Sequence, residues 1–210
     1  MRGLFISFEG NDGSGKSSAI KAVYQKLVDE GFDVVLSREP GGSKIAEKIR
    51  EVILDIDNTG MDEWTEALLY AASRREHIQK TIIPSIEKGK IVLCDRFLDS
   101  SLAYQGYARG LGIDKVNQLN QFATEGLEPD LTILVCVHPE IGLERIRKNS
   151  RDMDRLENET IQFHQKVYDG YQILAKESHN RIIVINGEQT QDVVADHTID
   201  VVLKFIKEHQ

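Results

Sequence analysis

Residues 8–18 read FEGNDGSGKSS. Within them Gly10–Ser17 satisfy G-x-x-x-x-G-K-[ST], with an apolar run, GLFISFE (residues 3–9), before and a helical stretch, Lys16–Glu30, after. That context makes a strand–loop–helix phosphate cradle. Gly10, Gly13 and Gly15 open backbone conformations closed to other residues. The N–H groups of Asn11, Asp12, Ser14 and their neighbours can then surround a phosphate, with the positive end of the helix behind it. Lys16 supplies a cation to β- and γ-phosphates, and the Ser17 hydroxyl a ligand for Mg²⁺. The stretch therefore implies an ATP or GTP site over residues 10–17. Two of its residues are unexpected: the cradle carries its own carboxylate, Asp12, beside Asn11, and no arginine.

Beyond the cradle, GLFISFE, FDVVLSR (32–38), KIVLCDR (90–96), DLTILVCV (130–137) and RIIVIN (181–186) are apolar without polar alternation. Such runs fit strands buried on both faces of a parallel sheet. Helical patterns lie between them, at Lys16–Glu30, Ser43–Leu54, Asp62 to about Lys88, Asp114–Glu125, Pro139–Asn149, about Glu157–Ser178 and Gln191–His209. The alternation predicts a three-layer α/β fold, a five-stranded parallel sheet flanked by helices. No repeat or linker divides the 210 residues, so a single domain is expected.

The net charge of −8 argues against a nucleic-acid partner. No apolar run approaches the ~20 residues of a membrane span, and the short N-terminus does not resemble a signal peptide. Cys94 and Cys136 both fall inside apolar runs and read as buried thiols. A cytoplasmic protein is the expectation.

Further phosphate chemistry gathers after the second and third apolar runs, in SREPGG (37–42) and CDRFLDSSLAYQGYARG (94–110). Ligands of open α/β sheets sit at such strand ends. Asp95 can bind Mg²⁺ directly or through water, and Arg96 can bridge two phosphates with its planar fork. Arg38, Arg50, Arg74 and Arg75 add cations nearby, which points to two phosphorylated ligands. Residues 145–157, RIRKNSRDMDRLE, are rich in arginine and poor in apolar side chains. They suit either a solvated connection or a short mobile lid over phosphates. Neither tetrapeptide after the last two strands is a guanine-reading Asn-Lys-x-Asp, and IVLCDR lacks the paired acids of a motor ATPase.

FEGNDGSGK, REPGG, TEALLYAASRREH, CDRFLDSSLAYQGYARG and LEPDLTILV, in that order along the chain, resemble the bacterial thymidylate kinases, nucleoside-monophosphate kinases of the P-loop class. The resemblance implies transfer of the ATP γ-phosphoryl group to thymidine 5′-monophosphate, with Mg²⁺ held at Ser17 and Asp95, by a homodimer. It implies that Lys16 and Arg96 act on the transferring group, with Arg147 and Arg151 of the lid as candidates for closing over it. It places Arg38, Arg50 and Arg96 around the acceptor phosphate, with Glu39 beside them. Tyr70 stands where the family usually has a phenylalanine stacked on thymine. Arg74 and Gln105, with Ser101 nearby, would meet the polar edge of the base. Tyr104 would block a 2′-hydroxyl, and Asp12 would reach the 3′-hydroxyl of the sugar. Phe97 departs from the tyrosine or histidine common after Asp-Arg. The missing cradle arginine fits the branch in which the lid supplies that charge.

Two other readings stay open on residues alone. In a nucleoside kinase Glu39 would serve as a base at a 5′-hydroxyl, and a nucleotide-dependent switch would hydrolyse ATP or GTP without an acceptor.

Overall fold

The computed structural model describes residues 2–148, 154–178 and 181–209. Strands β1 (Phe5–Glu9), β2 (Val34–Arg38), β3 (Ile91–Asp95), β4 (Leu131–Cys136) and β5 (Ile182–Asn186) form one sheet in the order β2-β3-β1-β4-β5. Every pairing is parallel. The five strands lie within the five apolar runs. Their lack of alternation has its cause in the layers: β1, β3 and β4 are buried on both faces. Val92, Cys94 and Leu134 enter one core layer, while Ile91, Leu93, Ile133 and Val135 enter the other.

The helices are α1 (Lys16–Asp29), α2 (Lys44–Leu54), α3 (Glu63–His77), α4 (Ile83–Glu87), α5 (Leu98–Ser101), α6 (Ile113–Thr124), α7 (Pro139–Lys148), α8 (Ile161–Glu177) and α9 (Gln191–His209). Ala19, Ile20, Val23 and Leu27 of α1 pack with Val194, Val202 and Ile206 of α9 on one face. Phe163, Val167, Tyr171 and Leu174 of α8 pack on the other. The expected helix from Asp62 to Lys88 is interrupted by a π-helical segment, Ile78–Ile82, before Pro84 near the start of α4. Proline offers no N–H to the preceding turn, so the ladder must change register there.

One helical unit gave no periodic signal. After β3 the chain forms α5 and then a π-helical segment, Leu102–Ala108. From Leu98 to Gly106 every residue is buried, so no polar face marks the helix.

The cradle is packed from outside by α7. A Cβ built on Gly13 would lie 2.1 Å from the Gly142 carbonyl oxygen, and one on Gly142 only 2.3 Å from that of Asp12. Arg145, one turn further along α7, donates to the Gly13 and Gly187 carbonyls at 3.4 and 2.8 Å. Backbone-to-backbone contact at that distance admits no methyl group. Gly142→Ala should therefore push α7 off the loop, lowering stability by about 1–3 kcal/mol and weakening nucleotide binding. Thermal melts with and without nucleotide check this, and an unchanged difference between the two melts contradicts it.

Candidate active site

The register of β1 against β3 sets Phe8 opposite Asp95, so the loops leaving both strands emerge side by side. Gly15, in the left-handed region at φ 92°, starts α1 with no side-chain cap, and no acid occupies the first turn. The N–H groups there are unclaimed by side chains, the condition under which a helix terminus binds an anion. Lys16 is buried with its ammonium on Asp95 Oδ1, and Ser17 Oγ donates to Asp95 Oδ2 at 3.1 Å. Burial works to raise the Asp95 carboxyl. The Lys16 charge, with bonds from Lys16 and Ser17, outweighs it and holds the group below the ordinary carboxylate range.

Ser17 and Asp95 make an oxygen-only pair, and no cluster of three or more His, Cys, Asp or Glu side chains suited to a metal occurs among the described residues. Such a sparse donor set fits Mg²⁺, which keeps several waters and shares substrate phosphates. When bound, the ion would neutralise phosphate charge; Ser17 and Asp95 are the residues that would hold it.

Asn11 turns out to be a structural tie. Its amide donates to the Val137 carbonyl at 2.9 Å and accepts from the Val137 N–H at 3.2 Å, fastening the cradle to the end of β4. Asp12 faces the other way. Arg96 Nη2 donates to Asp12 Oδ1 at 2.5 Å and the Tyr104 hydroxyl to Oδ2 at 2.8 Å, with His164 Nδ1 of α8 at 3.8 Å. Arg96 itself sits at φ 68°, an unusual conformation for a residue with a side chain. Glu9 holds that turn: its carboxylate accepts from Phe97 N at 2.8 Å, Ser100 Oγ at 2.5 Å and Tyr171 Oη at 3.0 Å. Burial, with the nearby Asp99, raises the Glu9 carboxyl above its usual value.

Two adjoining cavities open on these residues. One runs over the cradle between Lys16, Arg145 and Gln189–Gln191; the other is enclosed by Tyr70, Arg74, Tyr104, Gln105 and Leu54. Asp12, Arg50, Arg96 and Glu39 line both. Arg50 donates to the Pro40 carbonyl at 3.0 Å, and its guanidinium is pushed down by burial and then by the neighbouring Arg38. Cations gathered closely enough to disfavour one another mark an anion site. Arg38 is half-exposed and pairs with Glu47 at 2.8 Å.

Arg74 is fully buried, donating to Glu39 at 2.8 Å, Ser101 at 3.1 Å, the Phe97 backbone carbonyl at 2.9 Å and the side-chain Oδ1 of Asn120. Glu39 spends its second oxygen on His77 at 2.9 Å. A carboxylate held on both sides by internal partners is poorly placed as a base, which weighs against the nucleoside-kinase reading. Tyr70 forms part of the second cavity's wall; burial pushes its phenol up, so the hydroxyl stays protonated. Phe97 points into the core, edge-on to Phe5 at 4.9 Å between ring centres. Cys94 and Cys136 are free, buried thiols, and burial pushes Cys136 up to about 12.

The expected lid at 145–157 is fastened at both ends. Ile146 and Arg145 belong to the last turns of α7, and Arg145 is committed to the cradle carbonyls. Arg155 and Leu156 are buried, Arg155 donating to Glu66 at 2.6 Å and the Ile53 carbonyl at 2.8 Å. Arg147 is exposed at the end of α7, and Arg151 lies outside the described residues.

A parallel sheet in this order, with a phosphate cradle after β1 and an Asp-Arg pair after β3, defines a P-loop nucleotide-binding protein with a second anion site. The family model for thymidylate kinase matches residues 8–197. A thymidylate kinase of Oceanobacillus iheyensis is 50% identical over 211 residues, covering 100% of this chain and 94% of that protein. One from a Geobacillus species is 54% identical over 208 residues, covering 99% of each. The crystal structure of thymidylate kinase from Ehrlichia chaffeensis superposes with a TM-score of 0.75 at 35% identity, covering 97% of this chain and 99% of that one. The chain belongs to the thymidylate kinase family.

Sequence reasoning assigned no role to Glu9, Glu66, Arg155 or His164. Glu9 was legible as an acid ending an apolar strand; the others need the fold to bring them to the site. The Lys16–Asp95 pair makes a pH-dependent prediction for the ligand-free protein. A depressed carboxyl adds stability above its unfolded value that is lost as pH falls through the folded one. In Lys16→Met the charge and hydrogen bond that chiefly oppose burial are gone, so the carboxyl moves up and that contribution shrinks. The melting-temperature advantage of wild type over Lys16→Met should thus be larger at pH 7 than at pH 4. Adding Asp95→Asn to both should flatten the difference, and a pH-independent gap argues against the pairing.

Proposed function

We propose that the protein transfers the γ-phosphoryl group of ATP to thymidine 5′-monophosphate, giving ADP and thymidine diphosphate, with Mg²⁺ as cofactor. One observation carries this beyond family membership: Asp12 and Arg96 line both cavities, so one ion pair borders a donor cleft and an acceptor pocket. A switch that hydrolyses nucleotide needs no second anion pocket.

ATP takes the cradle, Gly10 to Ser17, with Lys16 on its terminal phosphates. Arg38, Arg50 and Arg96 receive the acceptor phosphate, with Glu39 positioning Arg74 behind them. An ionised phosphate is already nucleophilic, so positioning and charge neutralisation suffice and no general base is required. Lys16 and Arg96 offset the charge that spreads over the transferring group. Arg147 and Arg151 are the lid cations that close over it and exclude water. Tyr70 covers the base, Arg74, Ser101 and Gln105 its polar edge, and Tyr104 the 2′ face of the sugar. Asp12 meets the 3′-hydroxyl. Ser17 and Asp95 would hold Mg²⁺, which would supply further neutralisation of phosphate charge.

The 210 residues act as one kinase domain, in the cytoplasm, as a homodimer. Trp64 and Leu68 on α3, with Phe122 on α6, leave apolar surface that suits a second copy. No helix among the described residues is long and apolar enough to cross a membrane.

Coupled assays with ATP and a panel of nucleoside monophosphates test the reading. Rapid ADP formation with thymidine monophosphate supports it, and acceptor-independent hydrolysis refutes it. Asp12→Ala should raise KM for thymidine monophosphate by about 10-fold or more, the loss from a charged hydrogen bond, while KM for ATP changes little. Equal changes in both would remove Asp12 from the acceptor site.

A further inference from the structure

The acceptor cavity contains a side-chain amide whose direction is dictated from behind. Gln105 lies in the π-helical segment Leu102–Ala108, is 1% exposed and lines the cavity wall. The sense of such an amide follows from its partners. Here the partner is Glu66 of α3, itself 1% exposed, whose Oε1 accepts from Gln105 Nε2 at 2.8 Å. An ionised carboxylate can only accept, so it takes the nitrogen and never the carbonyl oxygen.

Glu66 is kept ionised by its other contacts. Arg155 donates to its Oε2 at 2.6 Å, and Arg109 approaches both oxygens at 3.3–3.4 Å. Burial works to raise its carboxyl, but the Gln105 amide and the two guanidinium groups hold it below the ordinary range. With Nε2 fixed to the rear wall, Oε1 is the branch of the amide left to the cavity that Gln105 lines.

We propose that Glu66 is a positioning residue that locks the Gln105 amide with its carbonyl oxygen toward the base, making the site select pyrimidines with an N3–H, thymine or uracil, over cytosine. The inference rests on the acceptor reading above and adds what sets the polarity of its base contact. Thymine and uracil carry a donor at N3, whereas cytosine carries a lone pair there. Against a fixed carbonyl oxygen the first makes a hydrogen bond and the second sets two acceptors face to face. In a buried site a mismatch of that kind costs more than a missing contact, because a desolvated polar group is left unpaired. Were the amide free to turn, its NH₂ group could serve cytosine equally well, so the discrimination resides in Glu66 as much as in Gln105.

The test compares kcat/KM for thymidine monophosphate and deoxycytidine monophosphate in three proteins. Wild type should favour thymidine monophosphate by at least ~10²-fold. Glu66→Gln lets the 105 amide adopt either sense, so that ratio should fall by ~10-fold or more, with KM for ATP and the melting temperature recorded as controls for folding. The exchange Glu66→Gln with Gln105→Glu keeps the cluster's charge and again presents an acceptor-only group to the base. It should restore the preference, and it remains informative where the single variant fails to fold. A folded Glu66→Gln that keeps the wild-type ratio overturns the inference, as does a folded exchange variant that has lost it. A wild type with no preference for thymidine monophosphate instead overturns the acceptor reading on which both rest.

Discussion

The parallel pairing of β1 with β3 is the constraint on which the site depends. Phe8 lies opposite Asp95, so the cradle that follows β1 and the Asp-Arg turn that follows β3 leave the sheet at one height. Parallel strands deliver all their carboxyl ends to one edge, and adjacent strands deliver them within side-chain reach. Lys16 and Ser17 can then meet Asp95, and Asp12 can meet Arg96, although the partners are 78 to 84 residues apart in the chain. Glu9, the last residue of β1, completes the arrangement by gripping the turn that aims Arg96.

The charges around this edge divide into two kinds. Arg74 with Glu39 and Arg155 with Glu66 are pairs at 2.6–2.8 Å with both partners buried. Desolvating such pairs costs much of what their attraction returns, so they contribute more to position than to stability. They fix the walls of the second cavity. Arg50 is different: it lies beside Arg38 and, among the described residues, has no carboxylate within hydrogen-bond distance. An acidic chain can thus keep cations at one sheet edge, because Glu39 and Glu66 there are already paired.

Much of the fold was legible because its strands are buried on both faces and its cradle is a local conformational motif. Gly13 and Gly15 report backbone needs that no other residue meets, so their spacing carries structure directly. The segment after β3 was legible as chemistry but not as a helix. Leu98 to Gly106 is buried all round, and periodicity disappears when both faces are apolar or internally satisfied. The run at 145–157 hid one buried residue for the converse reason. Arg155 reads as a surface cation, yet its guanidinium is buried against Glu66 and a backbone carbonyl.

FEGNDGSGKSS by itself determined a glycine-turned loop that leaves backbone N–H groups uncapped at the start of a helix, with Lys16 and Ser17 beside them, since each of these needs only neighbours in the chain. It did not determine what Asn11 and Asp12 were for. Tertiary structure separated them: Asn11 ties the loop to β4, while Asp12 crosses to Arg96 and Tyr104 at the mouth of a second cavity. A side chain's partner across the sheet depends on strand order and register, and those are set by packing the whole core rather than by any local stretch of residues.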